Sequence, residues 1–266
     1  MENEYTVDWS KYFDHIYCFH FLGKSERLRK DITAELDRVG ILKSGIFNFV
    51  YTSRDPWEKV LWDASPRCRI TFNVNFLNLG LATARTLREA LALGYKRVLF
   101  LEDDIRFLKD LHEIERTLAA TPKEADDDEV SIVQYDKFLP WSMTPSEYRR
   151  MVEVGRFNDY FFSSRGKSLY SGACFMATRK GMEALLRYNE DNHPTPSDGV
   201  FELVGVKTAC ADRNLAIQVF YDDAMAAGYF NGQGNTRHKA YAPMELDYSL
   251  YNVPNGYGYQ SLTVAV

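Results

Sequence analysis

Apolar positions along this chain fall into two alternating rhythms. Short runs rich in β-branched and aromatic residues occur at His15 to Phe21 (HIYCFHF), Ile46 to Tyr51, Arg97 to Leu101, Val130 to Tyr135 and Ala173 to Ala177, and each reads as a strand. Between them lie stretches with helical spacing. Gly23-Lys24-Ser25 leads into Glu26 to Val39, where Leu28, Ile32, Leu36 and Val39 recur every three or four residues. Leu79 to Leu93 and Arg179 to Tyr188 read the same way, and Gly94 stands where a helix C-cap glycine ends the first of them. Alternation of strand and helix predicts an α/β fold, a mostly parallel sheet flanked by helices on both faces. In such sheets ligands bind where strands reach their carboxyl ends, so residues just past each strand are the first candidates for chemistry. From Tyr229 onward the chain is rich in Gly, Asn and Tyr and reads as an irregular tail laid over the domain.

Composition adds bounds to this picture. A chain of 266 residues with 45% hydrophobic and 26% charged residues can bury a substantial core and reads as a single domain, its core spanning about 12–228 and its tail 229–266. The net charge of −5 argues against nonspecific binding of duplex nucleic acid, which depends on neutralising phosphates, so no nucleic-acid partner is expected. Met1 to Ser10 is acidic and lacks the pattern of a secretory leader, and no apolar run approaches the roughly 20 residues needed to cross a bilayer. The expectation is a cytoplasmic protein without a transmembrane segment. Cys18, Cys68, Cys174 and Cys210 form no CxxC pair and read as reduced packing residues. Neither GxxxxGK[ST] nor GxGxxG is present, which counts against a nucleotidyltransferase or phosphotransferase built on a phosphate loop.

The most informative strand end is Val98-Leu99-Phe100-Leu101-Glu102-Asp103-Asp104, where three acids follow four apolar residues. A buried strand that delivers carboxylates to the sheet's edge offers hard oxygen ligands to Mg²⁺ or Mn²⁺, and the ion can bridge them to phosphate oxygens. Glu102 and Asp104 occupy the outer positions of an acid-x-acid arrangement, and alternate strand positions project to one side. An isolated acidic triplet is also what a strand ending in a solvated turn looks like.

Four segments in order resemble glycosyltransferase family 25, the lipopolysaccharide-type galactosyltransferases and their collagen-modifying relatives. They are Ile16 to Arg27 (IYCFHFLGKSER), Gly80 to Phe107 with its GYKRVLFLEDDIRF, Ser171 to Leu186 (SGACFMATRKGMEALL), and Pro196-Ser197-Asp198. Together they span roughly Ile16 to Phe201. Two departures stand out: His20 where the family usually has Asn, and Ala84-Arg85 where it often has Ser-His.

The resemblance implies a GT-A-like fold, a UDP-sugar donor, Mn²⁺ or Mg²⁺ as cofactor, and inversion at the anomeric carbon. It further implies a carbohydrate acceptor, as in a cell-surface glycan such as lipopolysaccharide or capsule, with galactose the family-weighted sugar and a peripheral position at the inner face of the membrane. Asp104 is the preferred metal ligand, with Glu102 beside it approaching the ribose or a metal-bound water; Asp103 contacts the donor or holds the turn. His20, Phe21, Thr52 and Arg54 are candidates to line the nucleoside side of the cleft, where an aromatic ring stacks on uracil and polar groups read its edge. Arg27 either approaches a phosphate or pairs along the first helix. An inverting transfer needs a base to take the acceptor hydroxyl's proton. Asp198 is the candidate, with Glu202 and Asp222-Asp223 as alternates, and an N-cap role is its plainer alternative. Gly232 to Lys239 (GQGNTRHK) could fold over a diphosphate, and His238 there is a candidate late metal ligand or part of a basic surface turn. A noncatalytic carbohydrate-binding protein on the same fold would keep the aromatic surface of Tyr241, Tyr248, Tyr251, Tyr257 and Tyr259 while being indifferent to metal.

Overall fold

The computed structural model describes residues 5–21, 26–52, 74–122, 130–137, 143–164, 169, 171–191, 200–201, 203–218, 220–221, 248–252 and 257–258. In chain order the strands are β1 (His15–Phe21), β2 (Phe47–Thr52), β3 (Arg97–Glu102), β4 (Ile105–Phe107), β5 (Ile132–Gln134), β6 (Phe161–Ser163), β7 (Cys174–Thr178), β8 (Thr208–Ala211), β9 (Ala216–Gln218), β10 (Phe220–Tyr221) and β11 (Tyr257–Gly258). The helices are α1 (Glu26–Arg38), α2 (Val74–Ala92), α3 (Leu111–Ala119), α4 (Pro145–Gly155) and α5 (Arg179–Asp191).

Among the described residues the main sheet has 7 strands in the order β2-β1-β3-β7-β5-β8-β6. Strands β2, β1, β3, β5 and β8 run in one direction, while β7 and β6 run against them. The expected α/β sheet, mostly of one direction, is therefore present. The antiparallel β7 at its centre departs from simple strand-helix alternation, because the chain returns to insert β7 between β3 and β5 instead of adding it at an edge.

Alternation within each strand explains the layers. In β3, Leu99 and Leu101 join Ile16 and Cys18 of β1 and Ile32 and Leu36 of α1 on one face; Val98 and Phe100 join Tyr17 and Phe19 on the other, under Leu87 and Ala90 of α2 and Met182 and Leu185 of α5. Both faces are buried, so the strands read as continuous apolar runs. Helix α2 ends as expected: Gly94 has φ +77°, and the amides of Gly94 and Tyr95 turn back to the carbonyls of Leu91 and Ala90. Cys18, Cys174 and Cys210 are buried within the core and outside any disulfide, as expected of packing cysteines, while Cys68 lies outside the described residues.

The N-terminal segment packs into the core. Trp9 is buried in the larger core cluster with Val7 and Phe13, and its indole N–H donates to the Val39 carbonyl at 2.7 Å. In the tail, Tyr248–Leu250 form a short helical turn and Tyr257–Gly258 a strand. Tyr251 bridges to Leu108 and its hydroxyl donates to the Asn214 carbonyl at 2.8 Å, while β11 pairs antiparallel with β10. No helix among the described residues is long and apolar enough to cross a membrane.

Candidate functional site

Strand β3 lies in the interior of the sheet, and its carboxyl end brings Glu102, Asp103 and Asp104 to the edge where β1, β2, β5 and β8 also end. The acids are not a solvated turn. Asp103 and Asp104 are 1% and 4% exposed, and His20 beside them 3%. Carboxylates are buried this deeply only when partners compensate the lost hydration.

The strand register supplies one partner. Cys18 stands opposite Leu101 and Phe19 opposite Glu102, so continuing the ladder sets His20 beside Asp103 on the same face. His20 Nδ1 lies 2.8 Å from Asp103 Oδ2. That is an ion-pair distance without hydrogen-bond alignment, since Nδ1 makes no aligned hydrogen bond. Phe49 and Tyr51 of β2 meet the imidazole edge-on, with centroids 6.0 Å and 5.9 Å away.

The second partner comes from β9. Immediately after the acidic turn β4 pairs antiparallel with β9, setting Ile105 opposite Gln218. The Gln218 amide nitrogen then donates to Glu102 Oε2 at 3.0 Å and to Asp104 Oδ1 at 3.4 Å. Glu102 and Asp104 thus converge on one donor, while Asp103 faces the other way, toward His20.

A further buried acid sits two strands away. Asp136 lies two residues past β5, and its carboxylate accepts the Cys174 amide at 2.8 Å and the Ser171 hydroxyl. Burial pushes its carboxyl up to about 7, against the two hydrogen bonds and the charge of Lys137, and the charge of Asp104 adds to the rise. Ser171 adopts a left-handed φ of 105°, and its carbonyl accepts from Gln134 Nε2 at 2.9 Å. The turn before β7 is thereby fixed beside β3, whose Glu102 amide donates to the Ala173 carbonyl at 2.9 Å. Lys137 is also buried, its ammonium bonded to the carbonyls of Ala211 and Asp212 and to Asn214 Oδ1, and burial lowers it to about 8.

The residues expected from the sequence are distributed as follows. Glu102, Asp103, Asp104 and His20 come together. Thr52 is buried at the end of β2, with its hydroxyl donating to the His20 carbonyl at 3.4 Å. Phe21 closes β1 and Arg27 lies in the first turn of α1, and the side chains of both are outside the described residues. Arg54, Asp198, Glu202, Asp222, Asp223 and His238 also lie outside them. Among the described residues, no three His, Cys, Asp or Glu side chains group closely enough to hold a metal ion by themselves.

Gln218, Asp136, Ser171 and Gln134 were not foreseen. Asp136 was open to the rule that singled out Glu102, being an acid just past an apolar strand. A lone glutamine after Ala216-Ile217 carries no such signal, because only the β4–β9 pairing brings it to the acids.

No protein-family model and no curated protein sequence matches the chain. Among solved structures it is similar to a mannose-1-phosphate geranyltransferase from Thermus thermophilus, at 13% identity and a TM-score of 0.39 over 74% of this chain and 72% of that one. It is similar to a glycosyltransferase involved in glycosylation of the major capsid of PBCV-1, at 12% identity and TM-score 0.32 over 71% and 75%. A third is mouse xyloside xylosyltransferase 1, apo form, at 8% identity and TM-score 0.36 over 73% and 76%. Likeness at this level leaves the reading of the site to its own geometry.

Proposed function

We propose that this chain is a divalent-metal-dependent glycosyltransferase that moves a sugar from a UDP-sugar to a carbohydrate acceptor, with a GT-A-like arrangement of its sheet. The observation that carries this reading is the convergence of Glu102 and Asp104 on one point at the carboxyl end of an interior strand. Two carboxylates cluster there at an electrostatic cost that a positively charged ligand would relieve.

The donor set fits a hard divalent ion. Mg²⁺ and Mn²⁺ favour carboxylate, carbonyl and water oxygens, and Mg²⁺ in particular is commonly held by one or two carboxylates plus substrate phosphates instead of a full protein cage. Asp104 and Glu102 would hold the ion. When bound, it acts as a Lewis acid that stabilises the departing nucleoside diphosphate.

The protein's own residues have separate tasks in this reading. Asp103 orients His20, and the end of β1 with Thr52 at the end of β2 forms the nucleoside side of the cleft, with Phe21, Arg27 and Arg54 contributing. Asp198 accepts the proton of the acceptor hydroxyl, and His238 adds to the metal site; both assignments follow from the family resemblance. So do inversion, galactose as the sugar, a cell-surface glycan such as lipopolysaccharide or capsule as the acceptor, and action at the cytoplasmic face of a membrane.

Calorimetry with UDP in the presence and absence of Mn²⁺ tests the core of this reading. UDP binding that requires the ion supports it, and UDP binding indifferent to the ion, or none, sinks it. A screen of nucleotide sugars for slow hydrolysis to the free nucleoside diphosphate then names the donor.

A further inference from the structure

Gln218 donates to both Glu102 and Asp104. It reaches them because β9 is locked in place. Ala216 and Ile217 are buried in the larger core cluster, the β4–β9 ladder runs from Phe107 opposite Ala216 to Ile105 opposite Gln218, and the Leu215 amide donates to the Tyr135 carbonyl at 2.7 Å. The backbone beneath Gln218 is therefore fixed, and the freedom left to the residue is in its side-chain torsions.

A primary amide has two faces. Its nitrogen donates two hydrogen bonds, and its carbonyl is a neutral hard oxygen of the kind that ligates divalent ions. The terminal torsion is broad, so the two ends exchange at small cost. A side chain placed to donate to two carboxylates is equally placed to present its carbonyl to a cation held by them. Among the described residues no third acid, histidine or cysteine joins Glu102 and Asp104 at this point, so Gln218 is a described oxygen donor positioned to extend their set.

Building on the proposed metal dependence, we infer that Gln218 is a protein ligand of the divalent ion, through its amide carbonyl. The residue is half-buried, so its side chain is not wholly enclosed by packed neighbours.

The test is a titration of the full chain with Mn²⁺, followed by the electron paramagnetic resonance signal of free Mn²⁺, with and without UDP. Gln218→Met keeps the length and removes the carbonyl, Gln218→Ala removes the side chain, and Gln218→Glu restores an oxygen at that position. The expected result is a loss of Mn²⁺ affinity of about 10-fold or more in both Met and Ala variants, the range over which metal sites respond to losing a supporting group. Gln218→Glu should bind at least as tightly as the wild type, and the Met and Ala variants should melt near the wild-type temperature. If the amide serves only as a donor that holds the carboxylates in place, its loss in the Met and Ala variants also lowers Mn²⁺ affinity, but Gln218→Glu, which has no N–H to donate, falls with them; that outcome, or affinity in the Met and Ala variants that stays level or rises, overturns the inference. A wild-type chain that binds no Mn²⁺ in either condition overturns the metal reading and this inference with it. Mn²⁺ binding that ignores UDP but falls in the Met and Ala variants alone sinks only the nucleotide donor and leaves Gln218 as a ligand.

Discussion

Asp104 is almost completely buried, and the Gln218 amide reaches it only at the long distance of 3.4 Å. Replacing it by Asn keeps its shape and a carbonyl for the Gln218 amide, so the fold should tolerate the change while the site loses a charge. The expected outcome for Asp104→Asn is a melting temperature within a few degrees of wild type and an Mn²⁺ affinity reduced by about 10- to 100-fold. Wild-type Mn²⁺ affinity in the folded variant would remove Asp104 from the metal site. Asp136 makes a different prediction, because burial holds its carboxyl at about 7 against an ordinary value of 3.8. A raised carboxyl means the folded state prefers the protonated form. Its contribution is fully present below the ordinary value and is lost as pH rises through about 7, amounting to at most about 4 kcal/mol. Asp136→Asn can keep both contacts, its carbonyl accepting the Cys174 amide and its NH₂ donating to Ser171. The variant should therefore gain stability relative to wild type between pH 5 and pH 8 in urea unfolding. A wild type whose stability is flat over that range, with the variant tracking it, would contradict the raised value.

Among the elements, the strands and helices expected from periodicity are present, whereas helices α3 and α4 and several short strands are not marked by it. Helix α4 carried a readable start: Thr144-Pro145-Ser146-Glu147 forms a full capping box, the Thr144 hydroxyl accepting from the Glu147 amide and the Glu147 carboxylate accepting the Thr144 amide, with Pro in the first turn. Helix α3 likewise begins on Asp110, whose carboxylate accepts from the amides of His112 and Glu113. Strands β4, β6 and β9 span three residues each, too few for any period to register, and they exist because neighbours pair with them. Gly181 shows how close elements come. A Cβ there would lie 2.2 Å from the Ser131 carbonyl oxygen, the same oxygen that accepts the Thr178 amide at 2.9 Å, so α5 starts in contact with the backbone leading into β5. Gly181→Ala must push that backbone apart and should cost about 1–3 kcal/mol in chemical denaturation. A neutral substitution would mean that α5 can slide freely on the sheet.

At the scale of the molecule, segments far apart in the chain close around α1 and β4. Glu35 of α1 accepts the Phe107 amide at 2.8 Å, both Arg38 guanidinium contacts and the Asn252 amide at 2.5 Å, while Trp9 packs edge-on against Phe107. The N-terminal segment is thus part of the core behind the site, and Trp9→Ala should cost about 3–5 kcal/mol by thermal or urea unfolding. A loss below about 1 kcal/mol would show that the segment merely rests on the domain. Hydrophobic spacing alone determined the α/β class, the principal strands and helices, the glycine stop of α2 and the acidic end of β3, because these depend on which residues within a few positions share a face. Strand order, the reversed β7, the His20–Asp103 pair, the Asp136–Ser171 contact and the reach of Gln218 to Glu102 and Asp104 were decided by tertiary structure. Each of them joins residues tens or more than a hundred positions apart, and local periodicity carries no information about which strand lies beside which.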